Sequence, residues 1–100
     1  MKIQIPKCDV DVTDVLRVHV ESRLGLALAR FADRIGRVTV RFSHADGVAS
    51  GAHKRCLIEV GLRPRRLDVA DVDADLFAAV NHATDRASRS VARALEQERP

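Results

Sequence analysis

Aromatic residues are scarce in this 100-residue chain, which has no tryptophan, no tyrosine and three phenylalanines. Its hydrophobic core must therefore be built from Val, Leu, Ile and Ala. Proteins that bind single-stranded nucleic acid by stacking bases on aromatic rings usually need more exposed rings than this. The composition therefore disfavours that class of nucleic-acid binder.

Cysteine and histidine are too few and too scattered to indicate a disulfide framework or a metal centre. The two cysteines are Cys8 and Cys56, the chain has no Cys-X-X-Cys sequence, and no two of the four histidines are four residues apart. We therefore expect reduced thiols, with Cys56 buried in a strand, and neither a metal nor another cofactor.

Long apolar runs are also absent from the sequence. No stretch is long enough to serve as a signal peptide or to span a bilayer. We therefore expect a cytoplasmic protein that does not bind membranes.

Catalytic motifs are missing as well. No glycine-rich phosphate loop is present, and Ser43-His44 has no oxyanion-hole motif around it. Because Cys56 should be buried, it is a poor nucleophile. We predict that the chain is not an enzyme and has no small-molecule substrate.

One acidic cluster imitates the start of a calcium-binding loop. Its members are Asp71, Asp73 and Asp75, but Leu76 stands where such a loop needs glycine, and His82 where it needs glutamate. We interpret the cluster as the acidic start of a helix, where negative charge complements the helix dipole.

The hydrophobic pattern predicts six elements in the order β-α-β-β-β-α. Alternating apolar residues place strands at residues 2–5, 37–42, 54–63 and 67–72, and apolar residues at three- and four-residue spacing place helices at 13–33 and 75–97. Thr13 is the predicted N-cap of the first helix and Gly36 its predicted C-cap. Gly25 predicts a slight irregularity or a close backbone contact within that helix, and residues 44–53 form a predicted loop.

This order of elements constrains the topology. A helix between the first two strands implies that these strands are adjacent and parallel. The later strands should form an antiparallel meander, and each helix has a single apolar stripe, so both helices should cover one sheet face. The predicted fold is an α+β two-layer sandwich with a four-stranded mixed sheet.

The chain is mildly basic, with a net charge of +3 and a pI near 9.4. On the second helix Arg86, Arg89 and Arg93 form one stripe at three- and four-residue steps, and Arg23 and Arg30 share a face of the first helix. If the helices lie side by side, these stripes could form one surface suited to a nucleic-acid backbone. Acidic residues lie nearby on both helices, so two ordinary solvated faces fit the pattern equally well.

Three segments, taken in order, are similar to one known protein family. They are residues 12–17 at the start of the first helix, residues 23–25 and 31–40 around its end, and residues 75–81 followed by Asp85-Arg86. They resemble the ribosome hibernation-promoting factors and ribosome-associated inhibitors, also known as sigma-factor modulation proteins. The resemblance covers nearly the whole chain.

The resemblance implies one ribosome-hibernation-factor-like domain over residues 1–100, with a fold akin to the double-stranded-RNA-binding domain and no catalysis. Family members bind the small ribosomal subunit in the channel used by messenger and transfer RNA, and so inhibit translation under stress. By position, Arg23, Arg86, Arg89 and Arg93 would neutralise rRNA phosphates rather than read bases. Arg30 joins them because it shares a helix face with Arg23. A short, monomeric form is expected.

The chain also departs from the family pattern. Leu26 stands at a position that is basic in the family, Asn81 at one that is acidic, and the segment 94–98, which is acidic, replaces a lysine-rich tail. These departures favour an alternative, a protein-interaction module of the same fold that has lost rRNA binding. Binding to phosphate should weaken steeply with salt, whereas a protein interface should show a shallower dependence.

Overall fold

The computed structural model describes residues 1–45 and 53–98. Within them the elements follow the predicted order: β1 (Lys2–Gln4), α1 (Asp14–Leu28), a 3-10 helix (Ala29–Arg34), β2 (Ile35–His44), β3 (Lys54–Leu62), β4 (Arg66–Asp73) and α2 (Leu76–Gln97). Most of the predicted loop, residues 46–52, lies outside the described residues. The 3-10 helix is an addition to the predicted set.

The strands of the described residues form one sheet in the order β1-β2-β3-β4. β1 is parallel to β2, with Lys2 opposite Arg37, and the β2–β3 and β3–β4 pairs are antiparallel. The predicted mixed topology is therefore confirmed.

One sheet face is covered and forms the core with the two helices. The alternating residues predicted to face inward are buried: Val38, Val40 and Phe42 on β2, and Cys56, Ile58, Val60 and Leu62 on β3. They pack with the buried stripes of α1 and α2 in one hydrophobic cluster. The period-two pattern of these strands therefore identified the inner face correctly.

The first helix begins as predicted but ends earlier. The hydroxyl of Thr13 accepts a hydrogen bond from the amide of Leu16 at 3.2 Å, which caps the helix. After Leu28 the chain tightens into the 3-10 helix, and Ile35 already has extended backbone at φ −103° and ψ 120°. The prediction of Gly36 as C-cap is wrong, because the buried Ile35 starts β2 and carries Gly36 into the strand.

The predicted irregularity at Gly25 is also wrong. The residue lies within the regular helix α1, and a Cβ atom added there would meet no described atom within 4 Å beyond its own helix neighbours. Packing therefore does not require glycine at position 25.

The two helices lie side by side and run in the same direction. His19 Nε2 lies 2.8 Å from Asn81 Oδ1, and the hydroxyl of Ser88 donates to the carbonyl of Ala27 at 3.3 Å. Residue numbers rise together in these two contacts, so α1 and α2 are parallel and finish at the same end of the molecule. Neither of these helices is long and apolar enough to cross a membrane, nor is any other in the described residues.

α1 carries apolar side chains on its outer face as well as its inner one. Val15, Val18 and Leu26 are 69%, 65% and 78% exposed. The inner face is buried through Leu16, Val20, Leu24 and Leu28. α1 is therefore not amphipathic in the ordinary sense, in contrast to α2, whose outer face is polar.

Candidate nucleic-acid interface

The arginine stripe predicted on α2 is present and exposed. Arg86, Arg89 and Arg93 all reach solvent. The Nη1 group of Arg86 donates to the carbonyl of Ala70 at 2.9 Å and lies 4.0 Å from Asp71 Oδ2. These contacts place Arg86, the first residue of the stripe, on the flank of α2 that packs over β4.

The two predicted arginines of the first helix lie elsewhere. Arg23 is exposed on α1, and Arg30 falls in the 3-10 helix rather than in α1. The guanidinium carbon of Arg30 lies 4.5 Å from the ring centroid of Phe31, a cation–π contact. Arg30 and Phe31 line a cavity of about 340 Å³ against the last turns of α2.

The contacts between the helices relate these two sets to each other. α1 packs against the flank of α2 that carries Asn81 and Ser88. Helical periodicity places Asp85 and Glu96 between this flank and the Arg86–Arg93 stripe. Acidic residues therefore lie between the two sets, and the role of both sets in binding stays a prediction.

A larger basic cluster was not predicted from the sequence. It lies at the end of the molecule where both helices finish, and we call it the basic end. Its members are Arg34 at the end of the 3-10 helix, Arg37 at the start of β2, and Arg63, Arg65 and Arg66 at the β3–β4 turn.

Glu98 ties part of the basic end to the last turn of α2. Its carboxylate accepts hydrogen bonds from Arg34 at 2.6 Å and from Arg65 at 3.3 Å. The hydrogen bond from Arg34 is the main reason why the pKa of Glu98 lies below its usual value of 4.5. Arg65 also donates to the carbonyl of Ala94 at 2.9 Å, and Arg34 to the carbonyl of Arg63 at 3.3 Å. The helix terminus is thereby held against the turn.

The basic end continues onto the open face of the sheet as a shallow depression of about 230 Å³. Its lining residues are Arg37, Thr39, Arg41, Glu59, Gly61 and Arg66. Glu59 accepts a hydrogen bond from Arg41 at 2.6 Å, while Arg66 lies 3.9 Å from Glu59 and 3.5 Å from Asp68. A Cβ atom on Gly61 would come within 3.3 Å of the Arg37 carbonyl oxygen, so glycine avoids a tight contact where the strands approach at the β2 bulge.

The sequence contained one signal for this cluster, the run Arg63-Pro64-Arg65-Arg66, which the hydrophobic pattern identifies only as a turn. Arg34 and Arg37 join the run through strand register: Ile35 is opposite Leu62, and Gly61 is opposite Arg66. Register cannot be read from the spacing of arginines along the chain.

Cys56 and the acidic cluster before α2 are the residues that the sequence analysis considered for catalysis or metal binding. Burial, with a smaller contribution from the Asp71 carboxylate, raises the pKa of the Cys56 thiol from 9.0 to about 12. Residues 1–45 and 53–98 contain no group of three or more His, Cys, Asp or Glu side chains that could hold a metal ion. The acidic cluster starts α2 as predicted, because the carboxylate of Asp75 accepts a hydrogen bond from the amide of Phe77 at 2.9 Å.

Comparison with known proteins gives matches over almost the whole chain. The family model described as sigma 54 modulation protein / S30EA ribosomal protein matches residues 3–99. The crystal structure of the Thermus thermophilus Protein Y N-terminal domain is similar at 30% identity and a TM-score of 0.70, covering 92% of this chain and 93% of that one. A ribosomal subunit interface protein from Coxiella burnetii shares the fold with a TM-score of 0.79 at 18% identity, covering 96% of this chain and 99% of that one. No curated protein matches the chain.

Proposed function

Because this chain belongs to the sigma 54 modulation protein / S30EA ribosomal protein family, we propose that it is a non-enzymatic ribosome-binding protein of the hibernation type. It occupies the channel of the small ribosomal subunit used by messenger and transfer RNA, and it inhibits translation under stress. It acts in the cytoplasm as a single domain over residues 1–100, without a cofactor.

The observation that supports rRNA contact best is the exposed arginine stripe on α2. Arg86 and Arg93 are one heptad apart, which corresponds to about 10 Å along a helix axis. That length spans several successive phosphates of one nucleic-acid strand, because the phosphates of a strand are spaced about 3.4 Å apart along a duplex axis. Planar guanidinium groups bind phosphate oxygens in pairs, and they contribute position and affinity rather than base specificity.

Co-sedimentation with purified small ribosomal subunits across a salt series tests the proposal. The variant is Arg89→Glu with Arg93→Glu. Arg86 is left unchanged because its side chain also donates a hydrogen bond to the Ala70 carbonyl. We expect the wild-type protein to pellet with subunits at low salt and the variant to stay in the supernatant.

The matched control is Lys7→Glu with Arg17→Glu. It makes the same change in charge at two exposed positions near the start of α1, away from the stripe. We expect the control to pellet nearly as well as wild type. Failure of the wild-type protein to pellet even at low salt contradicts ribosome binding.

Channel occupancy and inhibition need a separate readout. Added protein should reduce binding of a labelled messenger RNA to small subunits and slow a reconstituted translation reaction, and the Arg89/Arg93 variant should do neither. Binding to subunits without competition against messenger RNA contradicts occupancy of the channel.

The outer face of α1 favours a second candidate function, the protein-interaction module. Val18 and Leu26 are largely exposed apolar residues on this face, and Leu26 stands where the resembled family has a basic residue. Under this alternative, wild type does not pellet with subunits. Partner proteins retained on the immobilised chain bind it with little dependence on salt, and their binding is lost in the variant Val18→Lys plus Leu26→Lys. Under the ribosome-binding proposal, the same variant pellets with subunits at least as well as wild type.

A further inference from the structure

We propose that the basic end is a second phosphate-binding surface, which contacts the sugar–phosphate backbone of RNA independently of the arginine stripe on α2. Phosphate binding at this end rests on the geometry described here. The identity of the RNA as ribosomal rests on the proposed function.

The first argument is the concentration of like charge. Five arginines lie at this end of the molecule, on the 3-10 helix, the start of β2 and the β3–β4 turn, and repulsion among their like charges is unfavourable in the free protein. Among the described residues, carboxylates relieve this repulsion for three of the five arginines. These are Arg34 and Arg65 through Glu98, and Arg66 through Glu59 and Asp68.

The second argument is the supply of free hydrogen-bond donors. Among residues 1–45 and 53–98, no carboxylate oxygen lies within 4.0 Å of the guanidinium nitrogens of Arg37 or Arg63. A guanidinium group has five N–H donors in a planar fork that matches two oxygens of a phosphate. Two such forks therefore remain available for a ligand at this end.

The third argument is the position of these forks on the strand backbone. A Cβ atom on Gly36 would lie 3.8 Å from Nη2 and 3.9 Å from Nε of Arg63, which is van der Waals distance, so that guanidinium lies over the strand backbone at the start of β2. Gly61 leaves the floor of the depression beside Arg37 and Arg66 without a side chain. The hydroxyl group of Thr39 adds a neutral donor to the same depression.

The chemistry of the basic end favours an RNA backbone over an acidic protein. Protein interfaces draw most of their affinity from buried aromatic and other apolar anchors, and the described lining of the depression consists of polar, charged and glycine residues. All five cations are arginine, the residue suited to bidentate phosphate contacts. Because Arg86 of the α2 stripe packs over β4 and the basic end lies where the helices finish, one molecule can contact two separate stretches of phosphate.

The experiment measures the salt dependence of binding to a short RNA duplex and to small subunits. The variant is Arg37→Gln with Arg63→Gln, which removes two cations without introducing repulsion. The control is Lys7→Gln with Arg17→Gln, which removes the same charge near the start of α1. Each lost duplex phosphate contact should reduce the log–log salt slope by about 0.9, so we expect a reduction of between one and two for the variant and a smaller change for the control.

The outcomes separate this inference from the proposed function. If the variant matches the control on both RNAs, the basic end does not bind phosphate, although ribosome binding through α2 still stands. If wild type ignores subunits but binds the duplex with a slope that depends on Arg37 and Arg63, the inference stands and the proposed function fails. If the variant loses binding to poly-glutamate and keeps its binding to RNA, the partner is an acidic protein and the inference is wrong. Thermal unfolding of each variant checks that the fold is kept.

Discussion

Gly25 is a residue whose replacement should stabilise the protein. Glycine in a helix interior costs about 1 kcal/mol relative to alanine, and a Cβ atom at this position meets no described atom within 4 Å beyond the helix itself. We expect Gly25→Ala to raise the free energy of unfolding by up to about 1 kcal/mol in urea titrations followed by circular dichroism.

Gly61 provides the opposite case on the sheet. There a Cβ atom would come within 3.3 Å of the Arg37 carbonyl oxygen, so Gly61→Ala should lower the unfolding free energy measured in the same way. Equal effects of the two substitutions would show that local packing does not decide the role of either glycine.

Cys56 should be chemically inert while the protein is folded. Its pKa is raised from 9.0 to about 12, so the reactive thiolate is scarce at pH 8. Iodoacetamide should therefore modify the partly exposed Cys8 well before Cys56, and should modify both in urea, as measured by peptide mass spectrometry. Equal rates of modification in the native protein contradict this prediction.

The raised pKa of Cys56 should also lower the stability of the fold at alkaline pH. Because the folded-state pKa lies above the unfolded value, the folded protein keeps the Cys56 thiol proton between about pH 9 and 12, whereas the unfolded chain loses it. The contribution of Cys56 to stability is therefore complete below pH 9 and is lost as the pH rises towards 12.

At the scale of elements, Glu98 should control the last turn of α2. Its carboxylate joins Arg34 and Arg65 to the helix end. We expect Glu98→Gln to speed hydrogen exchange of amides 94–98 and to leave the centre of α2 unchanged. The control is Glu96→Gln, which removes an exposed carboxylate for which no ion pair is found among the described residues. Since the pKa of Glu98 is lowered, its stabilising effect is present above the ordinary carboxyl pKa and is lost as the pH falls.

The elements differ in how well the sequence predicts them. β2, β3 and α2 have a clear apolar period, because each has one buried and one exposed face, and their positions were predicted closely. The end of α1 was not, since Phe31 and Ile35 are four residues apart and extend an apparent helical pattern into a 3-10 helix and a strand. The outer apolar residues of α1, such as Leu26, also follow no single-stripe pattern.

The candidate site also has one part that the sequence predicts and one part that it does not. The stripe on α2 was predictable because three- and four-residue spacing within one helix guarantees a shared face. The basic end was not, because it depends on parallel helices, on the register between β2 and β3, and on the position of Arg34 beside Glu98. Such distant relations are determined by tertiary packing rather than by local pattern.

For the whole molecule we expect a single cooperative unfolding transition. The buried residues of both helices and of β2, β3 and β4 belong to one cluster, and small domains with one core usually unfold in two states. Far-UV circular dichroism and the labelling of Cys56 should therefore give the same urea midpoint. Exposure of Cys56 at a lower urea concentration than helix loss would show that the sheet and the helices separate.

The parallel alignment of α1 and α2 has a consequence for the approach of the protein to a polyanion. Acidic residues lie at or just before the two helix starts, among them Asp11, Asp14 and Asp75, while the basic end lies where both helices finish. These full charges exceed the half-charge at each helix terminus, so the molecule is an electric dipole with its positive pole at the basic end. In the field of a polyanion it experiences a torque, and it arrives with the basic end leading before any specific contact forms.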